Sequence, residues 1–497
     1  MLTALISVDR AFRCEITVPH HSPIFNDYRL GLVQRLPLRY NRLRQVRSTL
    51  NMRGTPMKTQ QPLHHRGSRA IVMAAAGIGV VALALTGCAG QGSGKDGGGT
   101  DASGKVSLEF WNGFTGPDGP ALQKVIADFN KSQDKVTVKA NIMPWDTLYQ
   151  KVLTAVAGNS GPDIIAMSAS RMPQFSAQGM FAPVDDYYSD PANDSSALAQ
   201  AAIDASKFDG KNYGVPVNYT PMMMYYNKDV FTAAGLDPAK PPTTWDELKA
   251  MVPKLTVDSN GDGKPEQYAL ALADHETVPV FPALLWGTGG AVVSDDGKTS
   301  QLDSAESLNA LNYWVSLVKD DKASPIGLSG ADADKLFTTK KAAIEIVGPW
   351  MTSGFDAAKL NYGIVAPPAG PTDDTILADV VAMGLPAGIS DTKKKAAYEF
   401  FAYWNSKEGQ ITWASGSGFP PNRADVADQI TSSPYPAIFG AADVGKRTKI
   451  LLAGVAPGGT IIDTIFFPAV QKALNGEGSV NSIFADASKQ VQAELDK

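Results

Sequence analysis

The apolar positions of the chain change period repeatedly. Val106, Leu108 and Phe110 alternate with polar residues, which predicts a half-buried strand. Leu122, Val125, Ile126 and Phe129 then recur at helical spacing. Val136, Val138, Ala140 and Ile142 alternate again, and Tyr149, Val152, Leu153 and Val156 return to the helical period. Gly161-Pro162-Asp163 breaks that helix. Ile164–Met167 follows as a short unbroken apolar run, the pattern of a parallel strand buried on both faces. The order β-α-β-α-β predicts an α/β sheet. Further on, Thr244-Trp245-Asp246-Glu247 after Pro241-Pro242 reads as a capping box, with Leu248, Met251, Val252 and Leu255 as the apolar face. Leu311, Trp314, Val315 and Val318 mark another helix, and Ala397, Phe400, Phe401 and Trp404 a third.

Composition narrows the function. The stretch from 105 to 497 is too long for one core, so two lobes are expected. Charge is divided unevenly: residues 1–87 carry 12 Lys+Arg against 3 Asp+Glu, and residues 88–497 carry 33 against 47. An acidic body is a poor match for nucleic acid or anionic lipid, so no nucleic-acid partner is expected. Two cysteines exclude a disulfide scaffold and a Cys-built zinc site. His275 is the only histidine behind residue 87, which argues against a Ser-His-Asp triad and a multi-His metal site. A lone histidine is an ordinary structural hydrogen-bonder and is left out of the candidate site.

The front segment reads as an address. Residues 70–85 carry no charge, a run short for a membrane span and suited to the apolar region of a signal peptide. Lys58, His64, His65, Arg66 and Arg69 precede it, and Leu85-Thr86-Gly87-Cys88 closes it in the manner of a lipobox. Residues 57–87 are therefore expected to be a lipoprotein signal peptide, with diacylglycerol transferred to the Cys88 thiol. Residues 88–105, Gly- and Ser-rich, have the composition of a flexible tether. Residues 1–56 are Arg-rich and fit neither role. They are expected to be an upstream misreading of the gene start or, if translated, a basic arm.

Several segments taken in order resemble the extracellular solute-binding proteins of ABC transporters, most nearly the carbohydrate-binding, maltose-binding-protein-like branch. The longest runs from Tyr213-Gly214-Val215-Pro216 through Met224–Phe231 and Ala234–Asp237 to Pro242–Leu248. Leu108–Gly113, Gly161–Ile165, Val347-Gly348-Pro349-Trp350, Pro367–Gly370 and Gly418-Phe419-Pro420 fall in the family's order. The resemblance implies an α/β, two-lobed, type II periplasmic-binding-protein-like fold whose lobes are joined by crossing hinge strands. Lobe 1 is expected to comprise 106–217 with 380–428, and lobe 2 218–379 with 429–497. It also implies a monomeric, non-enzymatic binder that captures a sugar by hinge closure and hands it to permease subunits. The expected location is the outer face of a Gram-positive-like cell membrane, held there through the lipid only. No cofactor is required.

A neutral mono- or oligosaccharide calls for flat aromatic platforms and a rim of hydrogen-bonding groups. Family position points to Trp350, presented by the Gly348-Pro349 turn, and to Phe467 before the last long helices. Trp286 beside Gly287, Gly289 and Gly290, and Phe419 in a Gly-rich turn, are further aromatic candidates. Asn112, Phe114 and Thr115 follow the first strand, and Ser168, Ser170 and Arg171 follow the third. Loops at carboxyl ends of parallel strands line α/β clefts. Here the chain departs from the maltose-type pattern, with Met167 where an aromatic is expected and Ser170 where an acid is expected. Tyr219 and Thr220 sit at the anticipated crossing, and Glu276 falls where the family has a sugar-binding carboxylate. Asp379, a charge in an apolar stretch, needs a salt bridge or a ligand hydroxyl.

Asp258, Asn260, Asp262, Lys264 and Glu266 follow the opening of an EF-hand calcium loop, although the closing twelfth position is Ala269. A structural calcium ion and a polar Asn-Gly/Asp-Gly turn both fit this segment. Two functional alternatives also remain open: a secreted glycoside hydrolase, with its two carboxylates, and a binder of polyamine, peptide or iron on the same fold.

Overall fold

The computed structural model describes residues 104–497 apart from Asn159, together with an antiparallel strand pair, Ile6–Val8 with Cys14–Ile16. The signal segment, Cys88 and the tether as far as residue 103 lie outside the described residues. No helix among the described residues is long and apolar enough to cross a membrane.

The main strands, in chain order, are β1 Val106–Asn112, β2 Val136–Ile142, β3 Ile164–Ser168, β4 Phe181–Ala182, β5 Val215–Pro216, β6 Thr220–Pro221 and β7 Met223–Asn227. They continue as β8 Tyr268–Ala271, β9 Ala342–Val347, β10 Tyr362–Val365, β11 Ile376–Asp379, β12 Val381–Pro386 and β13 Thr448–Ile450. The first three alternate with helices α1 Gly119–Ser132 and α2 Trp145–Ala157, as the periodicity predicts. Leu122, Val125, Ile126 and Phe129 form the buried face of α1. All of β3 is buried, which explains its unbroken apolar run.

Two separate sheets organise the fold. One has the order β2-β1-β3-β12-β4, with β5 added against β12. β1 runs parallel to β2 and β3, whereas β12 is antiparallel to β3, β4 and β5. The other has the order β8-β9-β7-β10, with β8 parallel to β9 and β7 antiparallel to both its neighbours. Each sheet carries its own core. Phe110, Leu122, Phe129, Phe400, Phe401 and Trp404 fill the first. Phe231, Leu248, Trp314, Phe466 and Phe484 fill the second. The chain passes between them through a small sheet of order β6-β11-β13, in which Thr220 pairs with Asp379. The connection is tied again where Val217 N–H donates to the Val381 carbonyl at 2.7 Å and Val381 N–H to Asn218 Oδ1 at 3.0 Å. This is the α/β, two-lobed architecture that the resemblance implies.

The anticipated capping box is displaced by one residue. Thr244 Oγ1 accepts the Glu247 N–H at 3.3 Å, but the Glu247 carboxylate reaches back to the N–H and hydroxyl of Thr243, both at 2.7 Å.

Candidate functional site

A cleft of about 510 Å³ opens at the carboxyl ends of the parallel strands. Gly113–Asp118 follow β1, Pro144–Asp146 follow β2, and Ser168, Ser170 and Arg171 end or follow β3. From the second sheet come Ala271–Ala273 and Glu276–Val280 after β8, and Glu345–Val347 with Trp350 at the end of β9.

Two half-buried tryptophans give the cleft its character. Trp145 opens α2 and stacks on Tyr149, with centroids 5.8 Å apart and planes 27° apart. Trp350 stands in the turn after β9 and leans on Phe419 at 6.4 Å and 33°. A run of rings joins them. Phe419 stacks on Trp413 at 5.1 Å, Trp413 meets Phe114 edge-on at 5.6 Å, and Phe114 meets Trp145 edge-on at 5.5 Å. Phe114 and Phe419 are themselves 4% and 1% exposed, so they fix the indoles more than they offer a face. Each tryptophan rests against a glycine. A Cβ on Gly113 would lie 2.0 Å from Trp145 Cδ2, and one on Gly348 would lie 1.9 Å from Trp350 Cζ3.

The polar lining is acidic. Asp118, at 4% exposure, is pushed up to about 7 by loss of solvation, opposed only by its own N–H and that of Gly119. Asp379 is pushed up to about 6 by burial, with the Ser168 hydroxyl opposing it at 2.9 and 3.0 Å from the two carboxylate oxygens. Ser170 Oγ lies 2.8 Å from Ser168 Oγ, extending the chain of hydroxyls toward the cleft. Asp146 is raised by desolvation, which Arg171 opposes and Glu276 reinforces. Glu276 itself is exposed and held at φ 46°, a left-handed conformation unusual outside glycine.

Of the candidates read from the sequence, Phe114, Thr115, Ser170, Arg171, Thr220, Glu276, Trp350, Asp379 and Phe419 line the cleft together. Arg171 does so with its guanidinium already engaged. Both terminal nitrogens reach the Asp463 carboxylate, one of them at 2.8 Å, and the plane lies 4.4 Å over the Tyr149 ring.

Four candidates do not line it. Asn112 is fully buried and braces the loop, its Oδ1 accepting the Phe114 N–H at 3.3 Å. Tyr219 spends its hydroxyl on Thr448 Oγ1. Trp286 is 6% exposed in the second core. The glycine beside it answers a packing need, since a Cβ on Gly287 would lie 2.4 Å from the Trp245 ring. Phe467 is also core, at 5% exposure. The preceding π-helix, Ile461–Phe466, turns Ile462 to the cleft and Asp463 to Arg171 instead.

The 258–266 segment forms a turn held by its own hydrogen bonds. Asp258 spends its two oxygens on the amides of Gly261 and Gly263, each at 2.8 Å, and Asp262 Oδ1 accepts the Lys264 N–H. Glu266 accepts from Ser259 and Asn260. Among the described residues no three His, Cys, Asp or Glu side chains converge as a metal site. His275 hydrogen-bonds Asp274, which also holds the Gly327 N–H, a structural role.

Sequence reasoning passed over Asp118, Trp145, Asp146, Tyr149, Asp334 and Glu345, all of which line the cleft. For Trp145 a signal was present: it lies three residues beyond β2, as Phe114 lies two beyond β1.

The family model of bacterial extracellular solute-binding proteins matches residues 124–440. A binding protein of Brucella abortus is 28% identical over 398 residues, covering 77% of this chain and 92% of its own. The sn-glycerol-3-phosphate-binding periplasmic protein UgpB of Brucella melitensis is 23% identical, covering 71% of this chain and 82% of its own. In structure, the chain is similar to an ABC substrate-binding protein of Listeria monocytogenes solved in complex with cycloalternan. That match has a TM-score of 0.71 and 22% identity, over 79% of this chain and 99% of the other.

Proposed function

Since the chain belongs to the bacterial extracellular solute-binding proteins of ABC transporters, and is a binder and not an enzyme, we propose that its solute is a saccharide without phosphate. The lobes close on the sugar through differential affinity for the closed state, and the sugar passes intact to the permease. The protein acts as a monomer on the outer face of the cell membrane, held there by the lipid on Cys88.

One observation carries this reading: two cleft-facing indoles are joined by a continuous run of rings, and the polar groups around them are mostly hydroxyls and carboxyls. Sugar C–H faces stack on such rings, and hydroxyls donate to such acceptors. The same lining weighs against glycerol phosphate. Among the described residues Arg171 is the only Lys or Arg lining the cleft, and Asp463 already neutralises it. A phosphate would meet six acidic side chains, several of them ionised, and among the described cleft residues no unpaired cation.

A thermal-shift screen of protein purified from the full-length gene tests this. Mono- and oligosaccharides are expected to raise Tm, and sn-glycerol 3-phosphate to leave it unchanged. A ligand at about 100 times its Kd adds ~2.7 kcal/mol. A shift with glycerol phosphate alone would overturn the proposal. The Arg171–Asp463 pair ties the lobes together and is partly exposed, so its worth is about 1 kcal/mol. Asp463→Asn is accordingly expected to lower saccharide affinity about fivefold by calorimetry.

A further inference from the structure

β9 contains a carboxyl that its apolar surroundings do not explain. Ala342, Ala343, Ile344 and Val347 are buried and apolar, yet Glu345 stands among them at 2% exposure. It is an interior position of the sheet, opposite Tyr225 of β7 and beside Ala271 of β8. Among the described residues its one polar partner is another acid, Asp334, on the helix Gly330–Thr338. Its second oxygen, Oε2, is buried without any hydrogen-bond donor. Both residues line the cleft.

A buried carboxyl with an orphaned oxygen is costly, and two adjacent carboxyls cannot both ionise cheaply. A proton shared between the two carboxyls eases their repulsion but leaves Oε2 without a donor, and the only Lys or Arg lining the cleft among the described residues is Arg171, committed to Asp463. A ligand hydroxyl would bring one donor and no charge. An ammonium would bring three donors and a positive charge, satisfying Oε2 and letting both carboxyls ionise against it.

We infer that the saccharide carries a protonated amine, and that the Asp334–Glu345 pair receives that ammonium group. This rests on the saccharide reading above and replaces the neutral sugar expected from the sequence with a protonated amino sugar.

The test pairs ligands that differ at the amine, where acetylation removes the charge and adds an acetyl group. Isothermal titration of the full-length protein would compare β-1,4-linked glucosamine dimers to tetramers with their N-acetylated counterparts, with spermidine as a third arm. The free amines are expected to bind at least tenfold tighter than the N-acetylated sugars, and spermidine to bind more weakly than either. Glu345→Gln and Asp334→Asn should each lower amino-sugar affinity at least tenfold. Glu345→Gln should do so with Tm no lower than the parent, since it replaces a buried carboxyl by a neutral amide of the same shape; if it fails to fold, Asp334→Asn carries the test. Equal or tighter binding of the N-acetylated sugars would overturn the amine assignment and leave the saccharide reading standing. Spermidine binding tighter than every sugar, or no binding by any sugar, would overturn both.

Discussion

Trp350→Ala is expected to weaken saccharide binding about a hundredfold, a loss of ~2.7 kcal/mol. Covering one sugar face with an indole removes about 100 Å² of apolar surface from water, worth ~2.5 kcal/mol. Trp350 is also packed against both lobes' cores, so truncation alone would confuse binding with stability. Two companion variants separate them. Trp350→Phe keeps most of the packing and should retain more of the affinity. Gly348→Ala leaves the indole in the chain but removes its seat, because the new methyl would lie within 1.9 Å of the ring. It should cost about tenfold or more in Kd with a smaller change in Tm. Gly113→Ala should do the same at Trp145, where the approach is 2.0 Å. Calorimetry and tryptophan fluorescence during sugar titration check both. Unchanged affinity in Trp350→Ala would remove the platform from the site.

Asp118→Asn is expected to stabilise the ligand-free protein at pH 8 and to change little at pH 4. Burial lifts this carboxyl from 3.8 to about 7 in the folded chain. A raised acid is one that the folded state prefers protonated. As pH climbs from about 4 to about 7, the unfolded chain ionises Asp118 while the folded chain resists, so folding loses stability across that window and nothing further above it. A shift of that size corresponds to ~4 kcal/mol as an order of magnitude. The neutral amide avoids the loss, so its Tm advantage should grow from pH 4 to pH 8 in calorimetric scans. The same change alters an acceptor in the cleft wall, so saccharide affinity should fall while stability rises. A Tm advantage independent of pH would mean that the carboxyl ionises normally.

Much of the fold was legible because periodicity reports burial. The alternation over Val106–Phe110, the apolar run Ile164–Met167 and the 3.6-residue spacing in Asp391–Trp404 each correspond to an observed element with those residues inside. The site was legible where a local rule applied, as for residues just beyond parallel strands and for Trp350 after Gly348-Pro349. It was illegible where the decisive neighbour is distant in sequence. Nothing local to Glu345 announces that Asp334 and a cleft lie beside it. Trp286 and Phe467 are bulky aromatics in apolar runs, and which face they take depends on Trp245 in one case and on a π-helical turn in the other. Arg171 was found, but its partner Asp463 is 292 residues away.

The placement of β12 sets the order in which this protein can be assembled. β3 has β1 on one side, and its other edge is completed only by β12. Between Ser168 and Val381 the ribosome must make the greater part of the second lobe. At about 5–20 residues per second that delay is roughly 10–40 s. Throughout it the N-terminal sheet keeps an open apolar flank and cannot lock shut. A chain bound for the far side of a membrane gains from such a schedule, since an export channel accepts an unfinished polypeptide more readily than a closed one.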